Sequence, residues 1–342
     1  MTKNIDWGSL GFQYQPTDCS VSAIYNDGKW GEPEITTDHS VHISECACVL
    51  QYAQTVFEGL KAYRTPDDKI VTFRPDLNAK RMIDSAERLG IPPVPEDMFM
   101  KALDMLVSNN KDWVPPYGSG ATMYVRPFVY GSCPMINIAP AEEYEFRMIC
   151  MPVGPYFKSG IKPIVLKVSD FDRAAPHGTG DIKAGLNYAM SFHAHEVAHQ
   201  EGFAENMFLD SGTRTYVEET GGANFLFVTK DGKIVTPKSK SNSILPSITR
   251  RSMMVVAKDI LGMDIEQREV PFAEVPEFVE CGLCGTAAVI APVGKINDHG
   301  KEICFASGMD EMGPVLKKLY DTLTGIQMGT VEGPEGWIHE IK

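Results

Sequence analysis

Gly178-Thr-Gly-Asp-Ile-Lys183-Ala-Gly-Leu-Asn-Tyr188-Ala189 sets one lysine among small residues, directly ahead of an apolar run with helical patterning. A lysine held there can act as a nucleophile. Its free pKa is near ~10.4, so a lysine that forms an imine at neutral pH needs a partly desolvated site or a cationic neighbour. The glycines let a ligand approach the backbone closely, and Tyr188 brings a hydroxyl nearby. Alone the lysine is a weak signal, because most lysines are solvated surface charges.

Around this stretch, the 342 residues are 43% hydrophobic. That supports a sizeable core, and a size of roughly 100 to 200 residues per domain suggests two domains. A net charge of -13, from 32 basic and 45 acidic residues, argues against a general binder of nucleic acid or anionic membrane, since both need a positive field. The start, Met1 to Trp7, has no apolar signal-peptide core, and no run approaches the ~20 apolar residues of a membrane span. The expectation is a soluble, cytoplasmic protein. Eight cysteines in this length are no small disulfide scaffold, and Cys281-Gly-Leu-Cys284 reads as two ordinary thiols beside a turn.

The strongest breaks in composition are Trp113 to Gly120 and Met151 to Gly160, both rich in turn formers. The second suggests a small N-terminal α/β domain over 1–157, a linker over 158–170 and a larger C-terminal domain over 171–342. Strands are expected at Ile70–Phe73, Thr122–Arg126 and Tyr144–Ile149. A helix is expected from Pro75 to Leu89, with Ala79, Met82, Ile83, Ala86 and Leu89 on a stripe and Gly90 and Pro92 as stops. Asp231-Gly232 between Phe225–Val228 and Ile234–Thr236 signals a hairpin, and Asp210-Ser-Gly212 another turn. The fold class is α/β with α+β-like mixed sheets and much antiparallel pairing, not repeated βαβ units.

Several groups around the chain suit a phosphorylated, aromatic ligand. Ser247 can cap the helix that follows Leu245-Pro-Ser-Ile-Thr-Arg250, leaving the Ile248 and Thr249 amides as a positive dipole end. Gly285-Thr286 offers an amide and a hydroxyl together. Arg81, off the apolar stripe of its helix, can reach a phosphate or a carboxylate with its fork; in isolation it reads as a solvated arginine. Glu218-Glu219 sits at the edge of a Gly-rich turn, where one carboxylate can pair with a protonated ring nitrogen and the other is expected to face solvent. No Walker pattern and no GxGxxG after a strand is present, so the phosphate is not obviously that of a nucleotide.

His195-Glu-Val-Ala-His199 matches HExxH, with Gly202 and Glu205 beyond it. On a helix His195 and His199 share one face and can bind zinc, with Glu196 as base and Glu205 as third ligand. The stripe Leu186, Ala189, Met190, His193, Val197 puts the expected core on another side, so an exposed helix face is the preferred reading. A zinc peptidase is kept as the competing class.

Taken in order, Tyr52 to Gly59, Phe73-Arg-Pro through Arg81-Met, Tyr124-Val-Arg126-Pro, Gly154 to Phe157, Lys183 to Tyr188, Tyr216 to Asn224 and Leu245 to Arg250 resemble the branched-chain amino acid aminotransferases. These are fold-type IV enzymes that use pyridoxal 5'-phosphate. The resemblance covers nearly the whole chain. It implies two α/β domains with the cofactor between them, the C-terminal one with a barrel-like antiparallel sheet, and a homodimer in which Tyr52 reaches the partner's pocket. It also implies transamination of leucine, isoleucine and valine with 2-oxoglutarate to the 2-oxo acids and glutamate, with no metal.

By that resemblance Lys183 carries the cofactor as a Schiff base and shuttles the proton between Cα and the cofactor's C4′ carbon. Glu219 pairs with the pyridine nitrogen and Tyr188 with the phenolic oxygen, while Arg81, the Ile248 and Thr249 amides and Thr286 hold the phosphate. Tyr52, Phe57, Tyr124, Tyr156, Ala287 and Ala288 line the substrate pocket, and Arg126 takes the longer acidic co-substrate. A D-amino acid aminotransferase or an aminodeoxychorismate lyase is the nearest alternative within the fold. Ala288 and Ala291 replace the redox CxxC of the mammalian relatives, and Gly222 stands where some relatives have threonine.

Overall fold

The computed structural model describes residues 2–157 and 160–342; Lys158 and Ser159, at the start of the expected linker, lie outside the described residues. The chain divides into two compact units, Met1–Lys158 with Ile182–Gly185 and Gly325–Lys342, and Ser159–Asp181 with Leu186–Thr324.

The first unit is built on strands β1 (Ser20–Asn26), β2 (Lys29–Trp30), β3 (Glu34–Thr36), β4 (Thr55–Phe57), β5 (Leu60–Arg64), β6 (Ile70–Phe73), β7 (Thr122–Gly131) and β8 (Tyr144–Val153). They form one sheet in the order β6-β5-β7-β8-β1-β2, with β3 on β1 and β4 on β7, and every pairing is antiparallel. The three strands expected here from alternation are β6, β7 and β8, the last two extended to ten residues each. The short helix α1 (Cys48–Tyr52) and the longer α2 (Pro75–Arg88) and α3 (Glu96–Asn109) complete the unit. Pro75 starts α2 where its missing N–H costs nothing.

The last residues of the chain belong to this first unit, a departure from the expected single domain over 171–342 that leaves this unit the larger. Strand Ile338–Glu340 pairs antiparallel with β6, Arg74 lies 4.4 Å from the Trp337 ring centroid, and the Arg74 amide donates to the Trp337 carbonyl. An unpaired edge at β6 is thereby covered by a distant part of the chain, which no local pattern reports.

The second unit carries β9 (Ile164–Val168), which falls inside the expected linker, then α4 (Gly185–Gln200, all but its first residue), β10 (Glu205–Met207), β11 (Asn224–Val228) and β12 (Ile234–Pro237). It continues with α5 (Ile248–Val255), β13 (Ile265–Arg268), β14 (Glu280–Gly285), β15 (Val289–Asp298) and β16 (Lys301–Cys304), followed by α6 (Pro314–Gln327) up to Thr324. The sheet order is β10-β9-β15-β14-β11-β12-β13, with β16 on β15. Its centre is antiparallel and its flanks, β10 on β9, β9 on β15 and β13 on β12, are parallel. The hairpin signal at Asp231-Gly232 joins β11 to β12, with Val228 opposite Ile234 and Gly232 at φ +85.

The buried residues of α4 are Asn187, Ser191, Ala194 and Ala198, not the expected stripe; Ala189, Met190 and His193 are exposed. Small side chains at helical spacing allow close packing, and that outweighs the larger hydrophobes on the other faces.

Candidate active site

In the first unit, α2 turns three polar side chains inward at helical spacing: Asn78, Arg81 and Ser85 are all buried. Arg81 donates from Nε and Nη2 to the two oxygens of Glu58, at 2.7 and 2.8 Å, and Asn78 Nδ2 donates to the same carboxylate at 2.7 Å. Arg81 is therefore no solvated surface arginine, and of the two partners open to its fork a carboxylate is in place. Ser85 accepts the Lys183 amide at 3.0 Å, and the Phe57 amide donates to the Lys183 carbonyl at 3.0 Å. Both backbone groups of the lysine are pinned, and its Nζ lies 4.7 Å from the Phe57 ring centroid.

Registers β4 on β7 and β5 on β7 put Phe57 opposite Phe128 and Lys61 opposite Tyr124. Because side chains alternate along a strand, Tyr124, Arg126 and Phe128 share that face. Arg126 Nη2 donates to Tyr124 Oη at 2.9 Å and its guanidinium lies 4.6 Å from the Phe57 centroid, while its buried Nε has no partner. A Cβ at position 59 would overlap Tyr124 Oη, so any larger residue there requires the tyrosine to move. Lys61, which the sequence reading passed over, is driven down to about 8 by burial. Tyr52 and Tyr156 are 42% and 58% exposed; the Tyr52 hydroxyl donates to the Ile136 carbonyl, and Tyr156 packs edge-on against Phe157.

Replacing Glu58 by Gln leaves the Arg81 charge buried without its carboxylate. Glu58→Gln is expected to cost about 3 to 5 kcal/mol of folding stability, read by urea or thermal unfolding; a loss below about 1 kcal/mol, the scale of an exposed pair, contradicts this.

In the second unit, Glu219 is 3% exposed. Its Oε1 accepts from the Leu245 amide at 2.9 Å and pairs with Arg173 Nη2 at 2.8 Å, and its Oε2 accepts from Asn224 Nδ2. A carboxylate has about four lone-pair sites, so one stays open for a further donor. Burial pushes its carboxyl up, opposed by the charge of Arg173, the Leu245 amide and the charge of Arg250, while the charge of Glu218 adds to the rise. Arg173 Nε, Arg250 Nε and Asn224 Oδ1, on the three side chains around Glu219, are buried without hydrogen-bond partners.

The opening stretch feeds this cluster. Arg173 also donates to the Gly180 and Ser243 carbonyls, and a Cβ at position 180 would overlap both Ser243 O and the Arg173 fork. Asn187 exchanges hydrogen bonds with Thr179, at 2.6 and 2.7 Å, and so fixes this loop to the first turn of α4, which carries Tyr188. Arg173 went unrecognised in the sequence because its partners lie 7 to 70 residues away.

Ser247 caps α5 as expected, accepting from the Arg250 amide at 3.1 Å and leaving Ile248 and Thr249 in the first turn. Thr286 to Ala288 form the turn between β14 and β15, with Gly285 opposite Val289. Cys281 and Cys284 are both buried on β14, and burial raises both thiols, Cys284 to about 12. That suits inert core thiols. Position 222 has open space where a side chain would point.

The HExxH segment builds no metal centre among the described residues: no group of three or more His, Cys, Asp or Glu side chains is placed to hold an ion. His195 and His199 do share a helix face, their ring centroids 4.0 Å apart, but His199 is hydrogen-bonded to the Ala204 carbonyl at 3.2 Å. Among the described residues no helix is long and apolar enough to cross a membrane.

The family model "Amino-transferase class IV" matches residues 55–296, and the chain belongs to that family. The branched-chain-amino-acid aminotransferase of Haemophilus influenzae is 49% identical over 99% of this chain and 100% of its own length. The crystal structure of the Escherichia coli branched-chain amino acid aminotransferase superposes with a TM-score of 0.80 at 26% identity, over 95% of this chain and 100% of that one. The T.th. branched-chain amino acid aminotransferase complexed with N-(5'-phosphopyridoxyl)-L-glutamate gives a TM-score of 0.76 at 25% identity, over 94% and 99%. Within class IV, the chain is a branched-chain-amino-acid aminotransferase.

Proposed function

We propose that the chain transfers the amino group of L-leucine, L-isoleucine or L-valine to 2-oxoglutarate, with pyridoxal 5'-phosphate as cofactor held by Lys183, and that it works as a cytoplasmic homodimer. The observation that carries this is the lysine itself, fixed through its amide by Ser85 and through its carbonyl by Phe57.

The chemistry of the donor set fits the cofactor. Glu219, with its open lone-pair site, suits a protonated pyridine nitrogen. The Ile248 and Thr249 amides and the Thr286 hydroxyl suit a phosphate. Tyr188 suits the phenolic oxygen. When bound, pyridoxal phosphate supplies an electron sink for the charge left on Cα. Lys183 Nζ would take up the proton that leaves the substrate Cα, and Glu219 would hold a proton at the ring nitrogen.

Phe57 and Tyr124 would give the substrate side chain an apolar contact, worth roughly 1.5 to 3 kcal/mol for a Leu or Val side chain. Discrimination of about 1 to 3 kcal/mol per methylene admits all three branched substrates. Tyr52, exposed in the single chain, is open to serve a partner subunit's pocket.

Arg126 is the proposed partner of the co-substrate's distal carboxylate, supported by its unpartnered Nε. Arg126→Leu is expected to raise KM for 2-oxoglutarate and glutamate by about tenfold or more, the scale of losing a charge-assisted hydrogen bond, with a much smaller change for leucine. Equal changes for leucine and glutamate would remove Arg126 from this role.

A further inference from the structure

Glu218 has no part in the reaction as derived, yet it is as buried as Glu219, at 3% exposed. The expected alternation, one glutamate in and one out, fails because residues 216–220 make isolated bridges to Leu209, Pro271 and Asn224 and do not form a continuous strand. Glu218 Oε1 accepts from the Ser243 hydroxyl and, at 3.5 Å, from Ser239. Ser243 is bifunctional: its hydroxyl serves Glu218 and its carbonyl accepts from Arg173, which pairs with Glu219.

We infer that Glu218 is a positioning residue for the transamination proposed above: through Ser243 and Arg173 it sets the charge that Glu219 presents to the ring nitrogen of the cofactor. The charge count gives the reason. Arg173 and Arg250 both act on Glu219, and Arg173 acts on Glu218 as well. With both glutamates ionised these four groups are neutral; without the charge of Glu218 they carry one excess positive charge, which opposes a cation at the ring nitrogen.

Glu218 lines a cleft of about 290 Å³ together with Ser239 and Ser241. Ser239, Ser241 and Ser243 are linked hydroxyl to hydroxyl at 2.7 to 3.2 Å. The other charged groups on that cleft are Asp210, Lys238, Lys240 and Glu269, with Lys240 paired to Glu269 at 2.5 Å and lying 5.9 Å from the Tyr216 ring. Burial pushes the Glu218 carboxyl up from its ordinary 4.5, opposed by the Ser243 hydroxyl and by Arg173. A raised carboxyl contributes stability that is complete below that ordinary value and is lost as pH rises through the folded-state pKa.

Glu218→Gln keeps the shape and removes the charge. In the holoenzyme, kcat with leucine and 2-oxoglutarate is expected to fall by about tenfold to hundredfold, the scale of losing a group that supports an active one, with KM for leucine little changed. The pH at which the absorbance of the bound cofactor changes is expected to move lower, and at pH 8 the variant is expected to melt above the parent. Ser243→Ala, which cuts the link and keeps the charge, is expected to move the titration the same way by less. Variants that bind cofactor and titrate as the parent does overturn the inference, as does a lower kcat with an unshifted titration, which is a structural defect. A parent protein that binds no cofactor contradicts the transaminase reading instead, so the two failures are distinguishable.

Discussion

Lys183→Ala is expected to lower kcat for leucine and 2-oxoglutarate by at least about 10³-fold, because one change removes both a covalent anchor and a proton carrier. The fold is expected to survive it. The contacts that position this residue, Ser85 to its amide and the Phe57 amide to its carbonyl, are to the backbone and persist with any side chain. The lost ring contact, 4.7 Å from Nζ to the Phe57 centroid, is worth about 0.5 to 1 kcal/mol at an exposed site and about 2 kcal/mol where it is desolvated. Unfolding curves of parent and variant are therefore expected to lie close together while turnover differs by orders of magnitude. A small primary amine such as methylamine, added to the variant, is expected to restore part of the proton transfer. Turnover within tenfold of the parent would take Lys183 out of the mechanism.

Glu219→Gln carries the second large effect, and it reaches both activity and stability. The amide cannot hold a proton on the ring nitrogen by charge, so kcat is expected to fall by on the order of 10²-fold or more, the scale of losing one preorganised electrostatic group. The surroundings also resist the swap. Leu245 N, Arg173 Nη2 and Asn224 Nδ2 all donate to this carboxylate. A glutamine keeps one acceptor oxygen for those three donors and turns an NH2 toward at least one of them, and it leaves the Arg173 charge buried without its ion pair. A loss of about 3 to 5 kcal/mol in stability is expected, so activity is to be compared at a temperature where unfolding curves show both proteins folded. A variant that turns over at the parent's rate would sink the assignment of Glu219 to the ring nitrogen.

The features that were legible are those whose signals are local. The Gly-rich run around Lys183, the Ser247 cap and the Asp231-Gly232 hairpin each lie within a few residues, and each stands where the sequence put it. What stayed hidden depends on pairings across the chain. In isolation Arg81 read as a solvated arginine, and as a phosphate ligand by resemblance, because Glu58, 23 residues away, is visible only in space. The burial of both Glu218 and Glu219 was missed because strand alternation was applied to a segment of isolated bridges. The face of α4 was misjudged because size was taken as the sign of burial, whereas Ser191, Ala194 and Ala198 are what let the helix pack closely. The C-terminal residues join the first unit through edge pairing with β6, which leaves no mark in composition.

The account stands on Lys183 as the residue that holds pyridoxal phosphate. Purified protein, reduced with borohydride, digested and analysed by peptide mass, tests it most directly. The predicted result is loss of the cofactor's visible or near-ultraviolet band on reduction and a phosphopyridoxyl group fixed on Lys183 within Asp181-Ile-Lys183-Ala-Gly-Leu-Asn-Tyr188. A label on another lysine, or a protein that shows no such band after incubation with pyridoxal phosphate, contradicts it.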